Sequence, residues 1–185
     1  MYSVNFGAKF VTNSIIQKKD ISGAFFPEKV SIVEIDCKKN IDKEFLKTLS
    51  IYRGQFSYAE SLYQMALLRN DKKNNAISKI MVLTSQEDNF DDMNVADVKG
   101  FIEYDLSPNK EIRINSFEGF QDNFFRKKVR QYKHIGKSLL NYVLKNENPK
   151  KVSLHSTTYA KPFYISMGFR ESLSSNSKYE LEWLG

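Results

Sequence analysis

The residues whose types and spacing most clearly suggest chemistry lie at positions 130–140, where a basic turn runs directly into a predicted helix. The first N–H groups of a helix lack intrahelical partners and lie at the positive end of the helix dipole, so they bind anions such as phosphate. Gly136 would let a bound group approach the backbone closely. Apolar residues then recur at helical spacing from Ile135 to Leu144, before a stop at residues 146–149. The pattern predicts a phosphate-binding turn that is anchored by the helix after it.

Two kinds of phosphate-binding loop can end in this way. The run Gly136-Lys137-Ser138 resembles the end of a nucleoside-triphosphate-binding loop. That motif places a glycine five residues before Gly136, where this chain has Gln131. Residues 125–130 are also too basic to form the buried strand that such a loop follows. The nucleoside-triphosphatase interpretation is therefore disfavoured.

The other kind is the acetyl-coenzyme A loop of the GNAT N-acetyltransferases, which has the pattern Gln/Arg-x-x-Gly-x-Gly/Ala. Residues Gln131-x-x-His134-x-Gly136 resemble it, with His134 in place of the first glycine. A second GNAT stretch, Asn-x-x-Ala-x-x-Phe-Tyr-x-x-x-Gly-Phe, is similar to a run that follows one predicted strand later, with threonine in place of the asparagine. That run is Thr157-x-x-Ala160-x-x-Phe163-Tyr164-x-x-x-Gly168-Phe169. The resemblance covers roughly residues 80–183.

The resemblance implies roles for these residues. Acetyl-coenzyme A would be the co-substrate, with its pyrophosphate on backbone amides of residues 131–137 and its pantetheine arm and thioester oxygen on N–H groups of residues 111–117. Tyr164 matches the family's tyrosine that faces the sulfur, and its phenol would protonate the departing thiolate. The residues implied in binding the co-substrate are Gln131, Tyr132, Lys133, His134, Ile135, Gly136, Lys137, Thr157 and Ala160.

The general base that takes the proton of the acceptor amine is left open between Glu103 and Glu118. Both lie on or beside the strands that flank the cleft in such a fold, and either could act directly or through water. His155, at the end of a predicted strand, is a rival base, although a lone histidine there is more often a structural hydrogen-bonding residue. Cys37 has no His/Asp pattern beside it and is expected to be a small packed residue. With two histidines and one cysteine, no metal site is expected.

Length and composition favour one domain. The chain has 185 residues, of which 41% are apolar, enough for one compact core. We expect residues 1–28 to form a strand pair or an extension packed on a single domain of residues 29–185. The single cysteine fits a reducing compartment. Residues 1–20 hold no apolar signal segment and no uncharged run of about 18 apolar residues occurs, so we expect a cytoplasmic protein outside the membrane.

The net charge of +6 is concentrated on the predicted loop and its helix. Residues 126–151 contain nine lysines and arginines against a single acid, Glu147, whereas residues 87–105 are acidic. Local basicity is expected if the phosphates of coenzyme A bind there. A solvated basic face or a nucleic-acid patch would show the same charge.

The predicted elements follow the GNAT order of strand, two helices, three strands, helix, strand, helix, strand. The first strand covers residues 29–37, Asn40 caps the next helix, and Ser57-x-x-Glu60 forms a capping box for the second. The remaining strands cover residues 80–84, 99–106, 111–117, 151–155 and 178–184, with a short helix over 159–167. We therefore predict an α+β fold of three layers, a mixed and mainly antiparallel twisted sheet flanked by helices. Residues 118–129, which typical members of the family lack before the loop, either continue the strand at residues 111–117 or form an insertion.

Two functions from different classes remain open. The first is an enzyme that transfers an acetyl group from acetyl-coenzyme A to a primary amine by direct attack in a ternary complex. The second is a catalytically inactive module of the same fold that binds a coenzyme or nucleic acid, which the departures at His134 and Thr157 favour. The acceptor would be a small-molecule or protein amine, and the acidic residues 87–97 could attract a cationic one. The enzyme interpretation makes nucleic acid an unexpected partner and leaves a homodimer open.

Overall fold

The computed structural model describes residues 8–54, 57–68, 77–120, 131–173 and 177–185. Within these ranges one nine-stranded sheet is flanked by four α-helices. The helices are α1 (Asn40–Arg53), α2 (Ala59–Leu68), α3 (Ile135–Glu147) and α4 (Lys161–Ser166). The strands are β1 (Lys9–Lys19), β2 (Phe25–Ile35), β3 (Ile77–Thr84), β4 (Val98–Leu106), β5 (Glu111–Gly119), β6 (Tyr132–Lys133), β7 (Lys151–His155), β8 (Arg170–Glu171) and β9 (Glu180–Leu184).

The strands are arranged in the order β6-β1-β2-β3-β4-β5-β7-β9-β8. Every neighbouring pair is antiparallel except β5 and β7, which are parallel and are connected through β6 and α3. A parallel connection needs a crossover element, and α3 supplies it. The predicted α+β class, with a mainly antiparallel sheet between helices, is confirmed.

The sheet begins earlier in the chain than the sequence suggested. β1 pairs with β2 from Lys9↔Glu34 to Lys19↔Phe25, around a turn in which the Asp20 carboxylate accepts hydrogen bonds from the Ala24 amide and the Ser22 hydroxyl. The strand predicted to start at residue 29 therefore starts at Phe25. The boundary drawn between residues 28 and 29 falls inside β2, because pairing with β1 extends the strand beyond its β-branched run.

The structure differs from the sequence prediction at the N-termini of α1 and α2. α1 begins at Asn40 itself, with Lys39 at the N-cap and no side-chain cap. At α2, the Ser57 hydroxyl oxygen does accept from the Ala59 amide at 3.1 Å. Glu60 does not complete the predicted capping box, because its carboxylate accepts instead from Gln64 at 2.9 Å. Glu118 of β5 provides the carboxylate at the start of α2 instead.

The helices divide between the two faces of the sheet, which gives two apolar cores. On one face, α3 and α4 pack over β2, β3, β4 and β5, and we call this the α3 face. On the other face, α1 and α2 pack over β2, β3 and β4, and we call this the α2 face. Leu139 and Leu140 of α3 are completely buried, and burial of such side chains stabilises by about 1.5–3 kcal/mol each. Cys37 packs against the core of the α2 face.

Some predictions lie outside the described residues. These are the basic run at residues 125–130, residues 121–129 of the segment before the loop, and residues 1–7. Among the helices that the structure describes, none combines the length and the apolar character that crossing a membrane requires.

A buried polar cluster ties the end of α3 to the sheet. Tyr104 of β4 is completely buried, and its hydroxyl donates to a Glu147 carboxylate oxygen at 2.7 Å. The Lys79 ammonium donates to the same oxygen at 2.8 Å. Burial and this carboxylate together raise the pKa of Tyr104 far above its ordinary value, so the phenol remains a hydrogen-bond donor.

Tyr104→Phe should lower the free energy of unfolding by about 1–2 kcal/mol, because Glu147 keeps Lys79 but loses a donor in a buried site. Urea denaturation followed by circular dichroism measures this change. Tyr159→Phe is the matched control, since that side chain is 97% exposed and should change stability by less than about 0.5 kcal/mol. Equal stabilities of the two variants would contradict the structural role of the cluster.

Candidate active site

β5 is paired along its whole length on one side but over only four residues on the other. Residues 111–114 pair with residues 151–154 of β7, whereas pairing with β4 continues to Gly119. Beyond Ile114, no described strand pairs with the β7 side of β5, so backbone groups of residues 115–119 that point away from β4 are open to another partner. We call this gap the open seam. An extended ligand that carries amide groups could pair there as a strand would.

A β-bulge marks the point where the open seam begins. The β4–β5 register shifts between Glu103↔Ser116 and Tyr104↔Ile114, which leaves Asn115 as the additional residue. The Asn115 side-chain amide donates to Asp105 across the strands at 3.0 Å. Bulges bend a strand and increase its twist. The bulge therefore turns the end of β5 relative to β7.

The predicted phosphate loop lies beside β1 and ends at the N-terminus of α3. Tyr132 and Lys133 pair with Lys18 and Gln17 of β1, and the Gln131 carbonyl accepts from the Lys19 amide at 2.7 Å. His134 then adopts a left-handed conformation, with φ of 70° and ψ of 6°, immediately before α3. Glycine occupies such a conformation without strain, and histidine is one of the few other residues found there repeatedly. The departure from the GNAT pattern thus preserves the backbone shape.

The side chains of the loop divide into buried and exposed groups. Tyr132 and Ile135 are buried in the core of the α3 face, so only their backbone groups could meet a ligand. The Lys133 ammonium lies 3.8 Å from the centre of the Phe25 ring. His134 and Lys137 are exposed. The predicted co-substrate set therefore offers mainly backbone amides to a ligand, the groups that bind anions at a helix N-terminus.

Gly136 is needed for a reason that differs from the predicted one. A Cβ atom added there would lie 3.2 Å from ring carbons of both Phe117 and Phe163. These two rings pack on each other with centroids 6.1 Å apart. The missing side chain therefore makes room for aromatic packing beside the open seam, and any role in phosphate approach is additional.

The second sequence motif forms the turn before α4. The Thr157 hydroxyl accepts from the Ala160 amide at 3.3 Å, and its carbonyl accepts from the same amide at 3.2 Å. Asparagine and threonine both cap amides in this way. Thr157 in the asparagine position therefore keeps the local structure.

Tyr164 is buried in an aromatic cluster on the α3 face. Its ring lies 5.1 Å from Phe163, 5.7 Å from Phe169 and 6.1 Å from Phe117, between centroids. Burial, with a smaller effect of Tyr58, raises the pKa of Tyr164 above its ordinary value. The phenol is therefore protonated at neutral pH, as a proton donor must be.

Glu118 lies on the α2 face of β5 and caps helix α2. One of its carboxylate oxygens accepts from the Ser57 hydroxyl at 2.8 Å and from the Tyr58 amide at 2.9 Å. Burial raises the pKa of Glu118, while these two hydrogen bonds and the nearby Arg53 guanidinium oppose the rise. Arg53 is fixed beside it, 3.9 Å above the Phe120 ring.

The other candidate bases are placed differently. Glu103 is completely buried in the middle of the sheet, opposite Ser116 of β5 and Ile80 of β3. His155 is exposed at the end of β7, where its ring lies 6.0 Å from Tyr179. Glu118 is the candidate that is partly exposed and lies beside the open seam.

Comparison with known proteins bears on the fold that carries these residues. Residues 111–184 match the family model of the acetyltransferase (GNAT) domain. GCN5 from Tetrahymena is 11% identical with a TM-score of 0.51, over 80% of this chain and 90% of that chain. A GNAT-family acetyltransferase from Staphylococcus aureus Mu50 is 17% identical with a TM-score of 0.50, over 84% of this chain and 98% of that chain. No curated protein matches the sequence.

This chain has the GNAT fold. The resemblance to the GNAT superfamily predicted from the two motifs is confirmed, and the domain match supports acetyl transfer in general.

The GNAT fold brings together residues that are far apart in sequence, some of which the sequence analysis missed. Glu118 and Ser57 are 61 positions apart, yet they share a hydrogen bond at the end of β5. Ser57 was recognised only as a helix cap, and Tyr58 and Phe117 had no assigned role. No local pattern shows that the N-terminus of α2 meets β5. The one local signal was the capping motif itself. The amides and the serine hydroxyl at the start of a helix are hydrogen-bond donors, and a carboxylate from elsewhere in the chain can accept from them.

The left-handed conformation of His134 predicts an unusual order of stabilities. His134→Gly should be more stable than His134→Val by about 1–2 kcal/mol, because valine is strained at positive φ. Chemical denaturation of both variants measures the difference. At Lys47, an exposed position inside α1, the order should reverse by a few tenths of a kcal/mol, since glycine is the poorer helix former. The same order at both positions would contradict the conformation of residue 134.

Proposed function

We propose that this chain transfers an acetyl group from acetyl-coenzyme A to the primary amine of a small molecule or a protein, by direct attack in a ternary complex. The observation that carries the proposal is the placement of two proton-transfer groups at the end of β5. Glu118 lies on the α2 face, and Tyr164 packs against the preceding residue, Phe117, on the α3 face. Tyr58, whose amide holds Glu118, is close enough to Tyr164 to influence its pKa.

The described residues fit acetyl-coenzyme A as a co-substrate. Backbone amides at the N-terminus of α3 suit the pyrophosphate. The open seam offers backbone groups to the amides of the pantetheine arm. Phe117 and Phe163 provide an apolar wall beside it. When bound, the molecule supplies the acetyl group as a thioester.

We assign the role of general base to Glu118 rather than Glu103. An acceptor amine cannot reach a completely buried carboxylate inside the sheet, whereas Glu118 is partly exposed at the seam. Ser57 and the Tyr58 amide hold one oxygen of Glu118, which leaves the other oriented for a proton. Ser57 is thus a positioning residue in this proposal.

The proposed reaction is one acyl transfer with three proton movements. Glu118 takes a proton from the acceptor ammonium, directly or through water, and releases it to solvent, while the neutral amine forms a C–N bond with the thioester carbonyl carbon. The C–S bond breaks, and the Tyr164 hydroxyl donates its proton to the thiolate. The acylated nitrogen then loses its second proton, which returns through water to the Tyr164 phenolate, so the products are a neutral amide and a free thiol. The raised pKa makes the Tyr164 phenol a weaker acid than a free phenol. Its proton is therefore transferred as negative charge develops on the sulfur of the breaking C–S bond.

A second candidate function is a module that binds the coenzyme without turnover. The same hydrogen bonds that orient Glu118 also make it a helix cap, a role that needs no catalysis. Isothermal titration with acetyl-coenzyme A tests whether the binding site exists. Thiol release with a panel of amines then separates the enzyme from the module.

The half-buried single cysteine fits a reducing compartment, and we propose the cytoplasm.

Tyr164→Phe should reduce turnover by roughly 10²-fold while leaving thermal stability and coenzyme affinity nearly unchanged. Within the described residues the Tyr164 contacts are ring contacts, which phenylalanine retains. The measurements are thiol release per folded molecule, the melting temperature and the dissociation constant for coenzyme A. An unchanged rate removes Tyr164 from the mechanism, and a large loss of stability instead identifies a structural hydroxyl.

Substitutions at Glu118 and Ser57 should change the dependence of the rate on pH. Glu118→Gln should reduce kcat/KM by roughly 10²–10³-fold and remove the loss of activity at acid pH. Ser57→Ala removes a hydrogen bond that favours the carboxylate, so the pKa of Glu118 should rise and the acid limb of the pH–rate profile should move to higher pH.

Ser57→Thr is the matched control, because it keeps a hydroxyl and should leave the acid limb near its original position. Destabilisation of α2 alone would lower the amount of folded enzyme in Ser57→Ala without moving the limb. If Glu118→Gln retains both the original kcat/KM and the acid limb of the pH–rate profile, the general base is another group. If Glu118→Gln has the expected effects but Ser57→Ala leaves the acid limb in place, Glu118 is the base and does not depend on the hydrogen bond from Ser57.

A further inference from the structure

A polar groove of about 440 Å³ lies on the α3 face, between β1 and the flank of α3 that is turned away from the open seam. Residues at helical spacing along that flank form one wall, and residues 12–15 of β1 form the other. Ile32 of β2, which is 1% exposed, contributes an apolar surface. The volume is in the range of sites for small organic ligands. None of the residues assigned to acetyl transfer on the seam side, Phe117, Glu118 and Tyr164, lines it.

The groove is lined by basic and neutral polar groups. His134, Lys137 and Lys145 contribute nitrogen groups from α3 and its N-cap, and the described lining includes no carboxylate. Asn141 contributes a side-chain amide from α3, and Thr12 and Ser14, whose partners Ile32 and Val30 lie on the α3 face, contribute hydroxyls from β1. The groove therefore accounts for part of the basic excess that the sequence places between residues 126 and 151, and it favours an anionic ligand.

Two acidic groups lie near the Tyr142 end of the groove. Glu147 and Glu34 lie close enough to Tyr142 to help burial raise the pKa of that phenol. Glu147 is already bonded to Lys79 and Tyr104. Among the described residues, neither Lys137 nor Lys145 forms an ion pair, so both lysines can meet an anion.

The spacing of the cations limits the shape of the ligand. Lys137 and Lys145 are eight residues apart on α3, which corresponds to about 12 Å along the helix axis. A single inorganic phosphate could contact only one of them closely, whereas a ligand with an acidic group at each end could contact both. Hydroxyl or amide groups between its ends would meet Asn141 and the hydroxyls of Thr12 and Ser14, and its carbon skeleton would lie over Ile32.

We propose that this groove is a second binding site, for a small organic dianion, by which we mean a molecule with one acidic group at each of its two ends, whatever the charge of each group, and hydrogen-bonding groups between them. The acidic groups can be phosphates or carboxylates, since both accept hydrogen bonds from lysine and asparagine. The site is separate from acetyl transfer, and its existence does not depend on whether the chain is an active acetyltransferase.

Calorimetric titration of the full chain with fructose 1,6-bisphosphate, suberate and inorganic phosphate tests the proposal. At least one of the two dianions should bind ~10-fold more tightly than inorganic phosphate, because it contacts both lysines. The dianion that binds better identifies the acidic group. Saturating coenzyme A should leave this binding in place.

Lys145→Glu should weaken binding of that dianion by ~10-fold or more, because it replaces an attraction with a repulsion. Asn141→Asp should weaken it in the same direction. Lys38→Glu is the matched control, with the same change of charge at an exposed position outside the groove, and should change binding less than about threefold. Melting temperatures of all three variants verify that they are folded.

Three results would each overturn the proposal. The first is no binding of either dianion at concentrations up to about 10 mM. The second is an equal loss in Lys145→Glu and Lys38→Glu, which identifies general electrostatic attraction. The third is displacement of the dianion by coenzyme A, which assigns the binding to the N-terminus of α3. Failure of acetyl transfer with binding intact would affect the proposed function alone.

Discussion

Strand β5 is hydrogen-bonded to β4 as far as Gly119 but to β7 only as far as Ile114, and the candidate site depends on this unequal pairing. Buried backbone groups need partners, so a strand edge inside a domain must be paired, covered or reserved for a ligand. The bulge at Asn115, held by its hydrogen bond to Asp105, is where the edge becomes open. The crossover through α3 makes β5 and β7 parallel and brings the helix N-terminus to this place.

The two faces of β5 present different chemistry because side chains alternate along a strand. Phe117 points to the aromatic cluster around Tyr164, and Glu118 points to the N-terminus of α2. Each proton-transfer group is adjusted by its own surroundings. Tyr164 is surrounded by rings, which keep it protonated, while Glu118 is partly buried but receives two hydrogen bonds that favour its ionised form. One strand end thus positions the two groups to which the proposed function assigns proton transfer.

Helix α3 meets several independent constraints over 13 residues. Its buried face, with Leu139 and Leu140, anchors it on the sheet. Its first turn must pass close to Phe117 and Phe163, which only Gly136 permits without displacement of the rings. Its polar flank forms the wall of the basic groove. The anchor matters most, because amides that point at a ligand are effective only when the helix that carries them is held rigidly.

Much of the fold could be predicted because its signals are local. β7 covers the predicted residues 151–155, and α3 begins where the apolar period and the glycine indicated. Other expectations failed where a distant partner intervened. β2 begins at Phe25 because β1 pairs with it, and α2 is capped by Glu118 instead of Glu60. The packing around Gly136 could not be predicted either, since Phe117 and Phe163 come from separate parts of the chain.

The sequence by itself determined most element types, the position of the turn before α3 and the resemblance to the GNAT superfamily, because periodicity and short motifs depend on neighbouring residues. The tertiary structure decided which of two glutamates lies inside the sheet and which reaches the open seam. Glu103 and Glu118 look alike in sequence, as acids on predicted strands or beside them. Their burial and partners follow from strand order, register and the packing of α2, which bring together residues as far apart as Ser57 and Glu118.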